Sequence, residues 1–454
     1  MENIYPWDNG KLTVMDNKKY LCHENGTPFF WLGDTGWLMI ARLTREEIGV
    51  YLEDRKNKGF NVIQVMLMNE FPQKNVYGKT ACTVFDCQNW PLESKKEFNL
   101  DNYDYWDHLD YALDVAKKMG IYLALVPVWG SIVKGGNVTV EAAKAYGEWL
   151  GKRYGERLNI FWLNGGDVRG SDETEVWNAL GSAIKKYDKN HLMTFHPFGR
   201  TVSSIWFKAA PWIDFNMFQS GHRRYDQLNI KSEAHTEAEL KAWKGEDNYK
   251  YVLEELSKEP LRPVIDGEPS YEGIPQGLHD PSEPYWNEDD CRRYAYWSVF
   301  AGAFGHTFGN SAIMQMNNPD KFGKGNYGVR ETWQEALNQP GSSQMTHLKE
   351  LMTSVKFYEG VSDQSVIAKE VGEKYEYISA FRGKDYLFLY TYTGRKISVV
   401  MGRIEGSYVN CWWFSPKLGT RKFIGKYENS GVIDFVPDCK KANGNDYVLV
   451  ILKA

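Results

Sequence analysis

The 454-residue sequence lacks the features that mark membrane and nucleic-acid-binding proteins. No apolar run approaches the roughly 18 residues that a membrane span requires, so no membrane partner is expected. The N-terminal stretch has neither a basic start nor an apolar core, which predicts no signal peptide and a cytoplasmic location, with an exported form whose leader has been trimmed as the alternative. The net charge is −5 and there is no tract of Lys and Arg, so nucleic acid is not expected as a partner.

Patterns for metal and nucleotide binding are missing as well. The six cysteines form no Cys-x-x-Cys pair and are not grouped with histidine, which argues against a structural zinc site. No Gly-rich nucleotide loop follows an early strand, so no cofactor is expected. The Gly-x-Ser-x-Gly elbow that would hold a nucleophilic serine is also missing. A local Cys82–Cys87 disulfide is one alternative, but scattered free thiols in a reducing compartment are favoured. The cysteines are Cys22, Cys82, Cys87, Cys291, Cys411 and Cys439.

Aromatic residues, in contrast, are abundant, with 17 Trp and 28 Tyr. Aromatic faces suit the apolar C–H surfaces of sugar rings, although large protein cores also use many aromatic side chains. The composition therefore favours a carbohydrate ligand without establishing one.

Apolar, strand-like runs alternate with amphipathic helical patterns through the first three quarters of the chain. After the first run, Thr44 and Glu47 form the sequence pattern of a capping box, and Gly59 is expected to end that helix. Eight repeats in strict alternation predict an α/β fold, specifically a (β/α)₈ TIM barrel over residues 1–358 with a short N-terminal β segment. The eight runs are residues 29–35, 61–68, 121–129, 159–167, 191–197, 212–219, 263–268 and 302–309.

The pattern changes after residue 358. Short runs of strand-forming residues then follow one another, separated by turn sequences such as Arg382-Gly-Lys-Asp and Asn443-Gly-Asn. This predicts a C-terminal antiparallel β-sandwich domain over residues 359–454. The runs are residues 375–381, 386–392, 397–401, 409–414 and 447–452.

In a barrel the active site forms at the C-terminal ends of the strands, so polar and aromatic residues that end or follow apolar runs are the candidates. Nearly every run is followed by a group able to bind a hydroxyl, which indicates a polyhydroxylated, oligosaccharide substrate. The predicted substrate-binding residues are Asp34, Trp37, Asn69, Glu70, Trp129, Asn164, His196, Gln219, His222, Tyr271 and His306.

Two carboxylates end strands 4 and 7, which face each other across a barrel mouth. Cleavage of a glycosidic bond requires one protonated carboxyl to help the leaving oxygen depart and one ionised carboxylate to attack the anomeric carbon or to activate water. Asp167 and Glu268 fit these roles and are the predicted catalytic residues. For each residue alone, the alternative is a loop carboxylate that caps the next helix.

Other carboxylates compete with this pair. Glu70 is the strongest rival because it also follows a strand, and Asp34 and Glu272 are further candidates. Asp266 lies two residues before Glu268 but deeper in the strand, so it is interpreted as a barrel-lining or supporting group.

Three histidines end different runs, which raises a metal site as an alternative. The amidohydrolase type of barrel requires His-x-His on strand 1, and here that strand ends in Gly33-Asp34-Thr35. His196, His222 and His306 are therefore interpreted as partners of hydroxyls or carboxylates, and no metal is expected.

Three motifs resemble the apiosidase-like glycoside hydrolases of family 140: Trp31-Leu-Gly-Asp-Thr-Gly-Trp37, Trp162-Leu-Asn-Gly-Gly-Asp167 and Asp266-Gly-Glu268-Pro-Ser-Tyr-Glu272. The resemblance extends over nearly the whole chain, including a C-terminal domain like the one called collagen-binding. It implies Asp167 as acid/base and Glu268 as nucleophile of a retaining double displacement, with hydrolysis of apiose linkages in the pectin rhamnogalacturonan II.

The chain departs from the wider clan of barrel glycosidases at one position. There the strand-4 acid is normally Glu directly after Asn, whereas here it is Asp167, with Gly165 and Gly166 inserted after Asn164. Two other functions remain open at the level of sequence: a barrel that binds carbohydrate without cleaving it, and a metal-dependent hydrolase.

Overall fold

The computed structural model describes residues 5–82, 103–227 and 234–454. A three-stranded antiparallel sheet, β1 to β3, precedes the α/β region. In the described part of the chain, no helix is long and apolar enough to cross a membrane. Cys22, Cys291, Cys411 and Cys439 are free thiols. The alternative Cys82–Cys87 disulfide involves Cys87, which lies outside the described residues. The first strands are β1 (Leu12–Val14), β2 (Leu21–His23) and β3 (Pro28–Phe29).

Each of the eight predicted runs contains a parallel strand. The strands are β4 (Trp31–Thr35), β5 (Val62–Met66), β6 (Tyr122–Val126), β7 (Ile160–Val168), β8 (Met193–Pro197), β9 (Asn216–Phe218), β10 (Val264–Asp266) and β11 (Gly305–Phe308). Six of them form a curled sheet in the order β11-β4-β5-β6-β7-β8. In this sheet β11, the last parallel strand in the chain, pairs with β4, the first. The prediction of a parallel α/β fold is therefore confirmed.

The predicted continuous barrel sheet is interrupted at two junctions. Strands β9 and β10 form a separate parallel pair, and each has three residues in paired geometry. Single backbone hydrogen bonds span the junctions. Asp214 N–H donates to Met193 O at 2.8 Å, and Phe304 N–H donates to Val264 O at 3.2 Å. The architecture is a curled parallel sheet with an adjoining two-stranded sheet.

Helices follow the strands where the amphipathic patterns predict them. The capping box at α2 is present, since Thr44 Oγ1 accepts from Glu47 N–H at 3.3 Å and Glu47 Oε2 accepts from Thr44 N–H at 2.9 Å. The helices are α1 (Met39–Arg42), α2 (Arg45–Asn57), α3 (Tyr105–Met119), α4 (Gly130–Lys134), α5 (Val140–Tyr154), α6 (Thr174–Tyr187), α7 (Ser204–Phe207), α8 (Glu237–Ala242), α9 (Asn248–Glu255), α10 (Glu288–Phe300), α11 (Ser311–Met314), α12 (Pro319–Phe322), α13 (Trp333–Ala336) and α14 (Pro340–Thr353).

Aromatic rings fill the interior of the curled sheet. The ring of Trp31 lies 4.7 Å from that of Phe161, and Phe215 lies 5.4 Å from Phe304, centroid to centroid. These side chains come from four different strand regions and are all fully buried. The interior is therefore a packed core, and any ligand must bind at one end of it.

The C-terminal region contains the five predicted strands and three that the sequence analysis missed. Its sheets have the orders β12-β13-β14-β19-β16-β17 and β15-β18. The missed strand β17 carries four charged residues and lies at a sheet edge, so it has no apolar alternation to reveal it. The strands are β12 (Val361–Ser362), β13 (Ile378–Arg382), β14 (Tyr386–Thr391), β15 (Ile397–Val400), β16 (Tyr408–Phe414), β17 (Arg421–Glu428), β18 (Val432–Phe435) and β19 (Tyr447–Lys453).

Candidate active site

A cavity of about 270 Å³ lies where the C-terminal ends of the parallel strands meet. Seven residues predicted from the sequence line it, and they come from loops or strand ends that are far apart in the chain. They are Trp37, Asn69, Trp129, Asp167, Gln219, His222 and Glu268. The structure thus brings both predicted catalytic carboxylates to one cavity.

Glu268 is held between two histidines. His222 Nε2 forms a hydrogen bond with Glu268 Oε1 at 3.1 Å, and His196 Nε2 lies 3.2 Å from Glu268 Oε2. Burial by itself would raise the pKa of Glu268, but the hydrogen bonds and charges of the two imidazoles outweigh it and lower this pKa to about 2. Glu268 is therefore ionised at neutral pH.

Asp167 is presented to the cavity by a β-bulge. Gly165, Gly166 and Asp167 all have positive φ, at 88°, 118° and 47°, and the pairing of β7 with β8 shifts register between Gly165 and Val168. A Cβ on Gly166 would lie 2.4 Å from the Trp129 ring, so glycine is required there. The two glycines that interrupt the expected motif thus form the turn that aims the Asp167 side chain.

The two carboxylates have opposite pKa shifts. The Asp167 side chain is exposed and lines the cavity, and desolvation by the surrounding protein raises its pKa. The negative charge of Glu268 raises it further, while His196 and His222 partly counter this, and the result is a pKa of about 6. Near pH 6 and below, the cavity therefore holds one protonated and one ionised carboxyl group.

His196 connects the two carboxylates. Its Nδ1 accepts a hydrogen bond from the backbone N–H of Asp167 at 3.3 Å. Its other ring nitrogen, Nε2, faces Glu268. The same ring packs edge-on against Trp37 at 5.3 Å. A single side chain therefore helps to fix the positions of both acids.

Aromatic residues form one wall of the cavity. Trp37 and Trp129 have ring centroids 5.5 Å apart, and Trp37 Nε1 donates to Tyr271 Oη at 3.1 Å. Tyr271 is fully buried and packs against His222 at 4.8 Å. Burial first, and then the charge of Glu268, raises the pKa of Tyr271, so its hydroxyl stays protonated and can donate. Trp37 and Trp129 thus offer ring surface to a ligand, whereas Tyr271, predicted to bind substrate, is buried behind the lining and supports Trp37 and His222.

Besides Glu268 Oε2, which lies 3.2 Å from His196 Nε2, two polar atoms of cavity-lining residues lack a hydrogen-bond partner among the described residues. They are Gln219 Oε1 and His222 Nδ1, and both residues are more than nine-tenths buried. Buried polar atoms are nearly always satisfied, so unpaired ones at a cavity indicate a ligand that can form hydrogen bonds. Gln219 Oε1 can accept a hydrogen bond from a hydroxyl, and His222 Nδ1 can accept or donate one according to the position of its proton.

The rival carboxylates lie outside this cavity. Asp34 is fully buried and pairs with Arg55 Nε at 2.5 Å, while Tyr51 donates to it at 2.8 Å. Glu70 is exposed and lines a neighbouring cavity. The structure therefore places neither residue against the lining of the candidate site.

Asp266 and Glu272 have supporting positions. Ser220 Oγ donates to Asp266 at 2.5 Å, which links the ends of β9 and β10. Glu272 accepts from the backbone N–H of Gly341 at 3.0 Å, at the start of α14. Burial raises the pKa of Asp266 to about 6 and that of Glu272 to about 7. Both carboxylates hold backbone elements together.

Two further predicted residues are turned into the protein interior. Asn164 Nδ2 donates to Trp177 O at 2.8 Å, and its Oδ1 accepts from Gly165 N–H at 3.1 Å. His306 is fully buried, lies 3.5 Å from Ser298 Oγ, and has its pKa lowered to about 3 by burial. In residues 5–82, 103–227 and 234–454, no group of three or more His, Cys, Asp or Glu side chains could hold a metal ion.

The sequence analysis missed the cavity residues that come from long loops. Tyr327 is the most prominent, because it is an exposed aromatic residue on the lining. Its sequence context, Gly325-Asn-Tyr-Gly328, marks a turn, but strand periodicity assigns no position to such a turn. The missed lining residues are Leu38, Met66, Ser131, Ile274, Leu278, Met314, Gln315, Asn326 and Tyr327.

Comparisons with known proteins agree with this geometry. A family model described as "Apiosidase-like, catalytic domain" matches residues 15–359. A second model, described as "Putative collagen-binding domain of a collagenase", matches residues 361–452. No curated protein matches the chain.

Solved structures give the same picture. A protein named as a glycoside hydrolase is 48% identical, with a TM-score of 0.93, and the match covers 100% of this chain and 99% of that one. A family 5 glycoside hydrolase from Bacteroides vulgatus ATCC 8482 is 45% identical, with a TM-score of 0.92, over 100% of this chain and 95% of that one. The endo-beta-1,4-mannanase from Thermotoga petrophila, 15% identical with a TM-score of 0.50 over 94% and 92% of the two chains, shares the fold alone.

Proposed function

Because the chain belongs to the apiosidase-like glycoside hydrolase family, we propose that it cleaves pectic glycans by a retaining mechanism in which Asp167 is the acid/base and Glu268 the nucleophile. One observation carries this proposal: the two carboxylates line the same cavity with pKa values shifted in opposite directions. Carboxyl groups whose environments separate their pKa values in this way are typical of glycosidases.

In the first step, Asp167 gives its proton to the glycosidic oxygen as the bond from that oxygen to the anomeric carbon breaks. A Glu268 carboxylate oxygen forms a bond to the same carbon, and the aglycone leaves as an alcohol. In the second step, Asp167 takes a proton from water, the water oxygen attacks the anomeric carbon, and the bond to Glu268 breaks. One water is consumed and both carboxyl groups return to their initial states.

The substrate part of the proposal rests on the family and on the cavity. The chain's membership of the apiosidase-like family supports an apiose linkage such as those in rhamnogalacturonan II. The aromatic wall and the unpaired Gln219 and His222 atoms suit a small polyhydroxylated ring. We also propose that the two parallel sheets act as one (β/α)₈ barrel, that the barrel domain spans residues 1–358, and that the β-domain spans residues 359–454.

Substitution of each carboxylate tests the mechanism. Glu268→Gln and Asp167→Asn should each lower kcat by about 10²–10⁴-fold on rhamnogalacturonan II oligosaccharides, with the fold retained by circular dichroism. Glu70→Gln is the matched control, because Glu70 is the strand-end carboxylate that lies outside the cavity. Its turnover should equal that of the wild type. Near-wild-type turnover of Glu268→Gln would refute the assignment.

A rescue experiment separates the two roles. Aryl glycosides with good leaving groups need little protonation, so they should partly restore the turnover of Asp167→Asn, and azide should then be incorporated into its product. Proton NMR of the first product of the wild-type enzyme should show the anomeric configuration of the substrate. Inversion of that configuration would show that Glu268 activates water instead of attacking carbon.

A further inference from the structure

Tyr327 lies on a loop between α12 and α13 and faces the catalytic cavity. Its side chain is 38% exposed, although it lines the same cavity as Asp167 and Glu268. Its backbone has a φ of 55°, in the left-handed region that a bulky side chain rarely adopts. Such a conformation costs about 1–3 kcal/mol. Strained residues of this kind cluster at functional sites, so its position on the cavity lining suggests a role in ligand binding.

The surrounding structure holds this unfavourable conformation from both sides. Gln315 Oε1 accepts from Asn326 N–H at 2.8 Å, and Gln315 Nε2 donates to Asn326 O at 3.2 Å. On the other side, Tyr285 Oη donates to Gly328 O at 3.1 Å. The residues before and after Tyr327 are thus each tied to a side chain from another segment.

The turn is also closely packed around its glycines. A Cβ on Gly325 would lie 2.4 Å from Val329 Cγ1, and a Cβ on Gly328, where φ is 61°, would lie 2.8 Å from Tyr285 Oη. No other residue type fits these positions without rearrangement. Glycine at both positions therefore permits the turn that places an aromatic ring at the cavity.

The Tyr327 side chain packs against a neighbouring ring and feels the charges of the two carboxylates. Its centroid lies 5.9 Å from that of the His279 ring, which limits how the tyrosine can turn. Burial and then the charges of Asp167 and Glu268 raise the pKa of the phenol, so the hydroxyl remains neutral beside the two acids. An exposed, neutral aromatic ring next to catalytic carboxylates can bind the apolar face of a sugar.

We propose that Tyr327 is a substrate-binding residue whose ring stacks on the substrate sugar in the catalytic cavity. The inference rests on the proposed function, since it takes the cavity of Asp167 and Glu268 as the place where the glycan is cleaved. Stacking of this kind stabilises the bound substrate and the transition state about equally. It should therefore act on KM far more than on kcat.

The test compares Tyr327→Ala and Tyr327→Phe with Tyr187→Ala. Tyr187 is 37% exposed at the end of α6, so it matches Tyr327 in exposure but not in place. All variants are assayed on pectic, mannan, xylan and β-glucan oligosaccharides, and kinetics are measured on the glycan that the wild type cleaves fastest. Tyr327→Ala should raise KM about tenfold with kcat within about threefold, while Tyr327→Phe and Tyr187→Ala stay near the wild type.

Two results would overturn the inference. One is a kcat/KM for Tyr327→Ala within about twofold of the wild-type value. The other is a loss for Tyr327→Phe as large as that for Tyr327→Ala, which would assign the effect to the hydroxyl and not to the ring. A wild-type preference for a glycan that is not pectic would refute the proposed substrate class, but the Tyr327 comparison would still be made on that glycan.

Discussion

At the residue scale, partners decide which carboxylates can do chemistry. Asp34 has a buried arginine beside it, and Asp266 accepts hydrogen bonds from Ser220 and Asn248. Asp167 and Glu268 instead face a cavity and each other's charge. The sequence places all four at strand ends or close to them and singles out Asp167 and Glu268 by strand position, but it does not reveal their partners, which come from segments distant in the chain.

The pKa of Asp167 predicts the pH dependence of the reaction. The first step needs Asp167 protonated, and a raised pKa keeps the proton on the group up to higher pH. The value of kcat/KM should therefore fall as the pH rises through about 6, while ionised Glu268 persists to much lower pH. Initial rates over a pH series check this. A kcat/KM that stays constant from about pH 5 to about pH 8 would contradict it.

The electrostatic coupling between Asp167 and Glu268 predicts that substitution of Glu268 shifts the pKa of Asp167. Since the negative charge of Glu268 raises the pKa of Asp167, the uncharged Glu268→Gln variant should titrate Asp167 at lower pH. Carbon-13 NMR of labelled aspartate measures this directly. Glu70→Gln is the control and should leave the Asp167 titration unchanged, and an unaltered pKa in Glu268→Gln would refute the coupling.

At the scale of elements, the bulge in β7 is the feature that brings Asp167 to the cavity. Within this strand three successive residues, Gly165, Gly166 and Asp167, have positive φ. Because the inserted glycines displace the chain at Gly165 and Gly166, the shorter Asp167 side chain reaches the cavity lining. The sequence marks the insertion, but only the structure shows which way the bulge turns.

Gly166→Ala tests this bulge. The added methyl group would lie 2.4 Å from the Trp129 ring, in a backbone conformation that L-residues avoid. We expect a loss of about 1–3 kcal/mol in stability and a fall of about 10²-fold in kcat/KM, because Asp167 or Trp129 must move. Gly136→Ala is the matched control: its φ is 76°, but nothing lies within 4 Å. Thermal unfolding and steady-state kinetics measure both variants, and equal activities would contradict the role of the bulge.

At the scale of the whole molecule, the central strand β14 of the larger C-terminal sheet is buried on both faces. Leu387 and Leu389 pack into the sandwich core, whereas Phe388 between them belongs to the core shared with the parallel-sheet region. Across this boundary, the Tyr390 ring stacks on Tyr296 of α10 at 4.8 Å. Near-continuous burial of β14 is therefore a consequence of docking. The sequence shows the apolar strand but does not reveal its second partner.

A buried ion pair joins the two regions. Arg292 on α10 donates to Asp446 through Nε at 2.9 Å and Nη2 at 2.7 Å, and Tyr390 donates to the same carboxylate at 3.1 Å. Asp446→Asn would leave the Arg292 charge buried without its main partner, so we expect a loss of about 3–5 kcal/mol in the free energy of unfolding.

Chemical denaturation measures this loss. Asp438→Asn is the control, because the Lys422–Asp438 pair is largely exposed and its removal should leave the unfolding midpoint unchanged. An Asp446→Asn variant as stable as this control would show that the two regions are not coupled through Arg292.

The sequence by itself determined the alternation of strands and helices, the capping of α2, and the carboxylates at the ends of the fourth and seventh strands. These properties depend on residue type and local periodicity, which the chain carries in order. The tertiary structure alone decided that β9 and β10 form a separate pair, that Asp34, Asn164 and His306 turn inward, and that Tyr327 reaches the cavity. Those outcomes depend on contacts between residues far apart in sequence, and no local pattern encodes them.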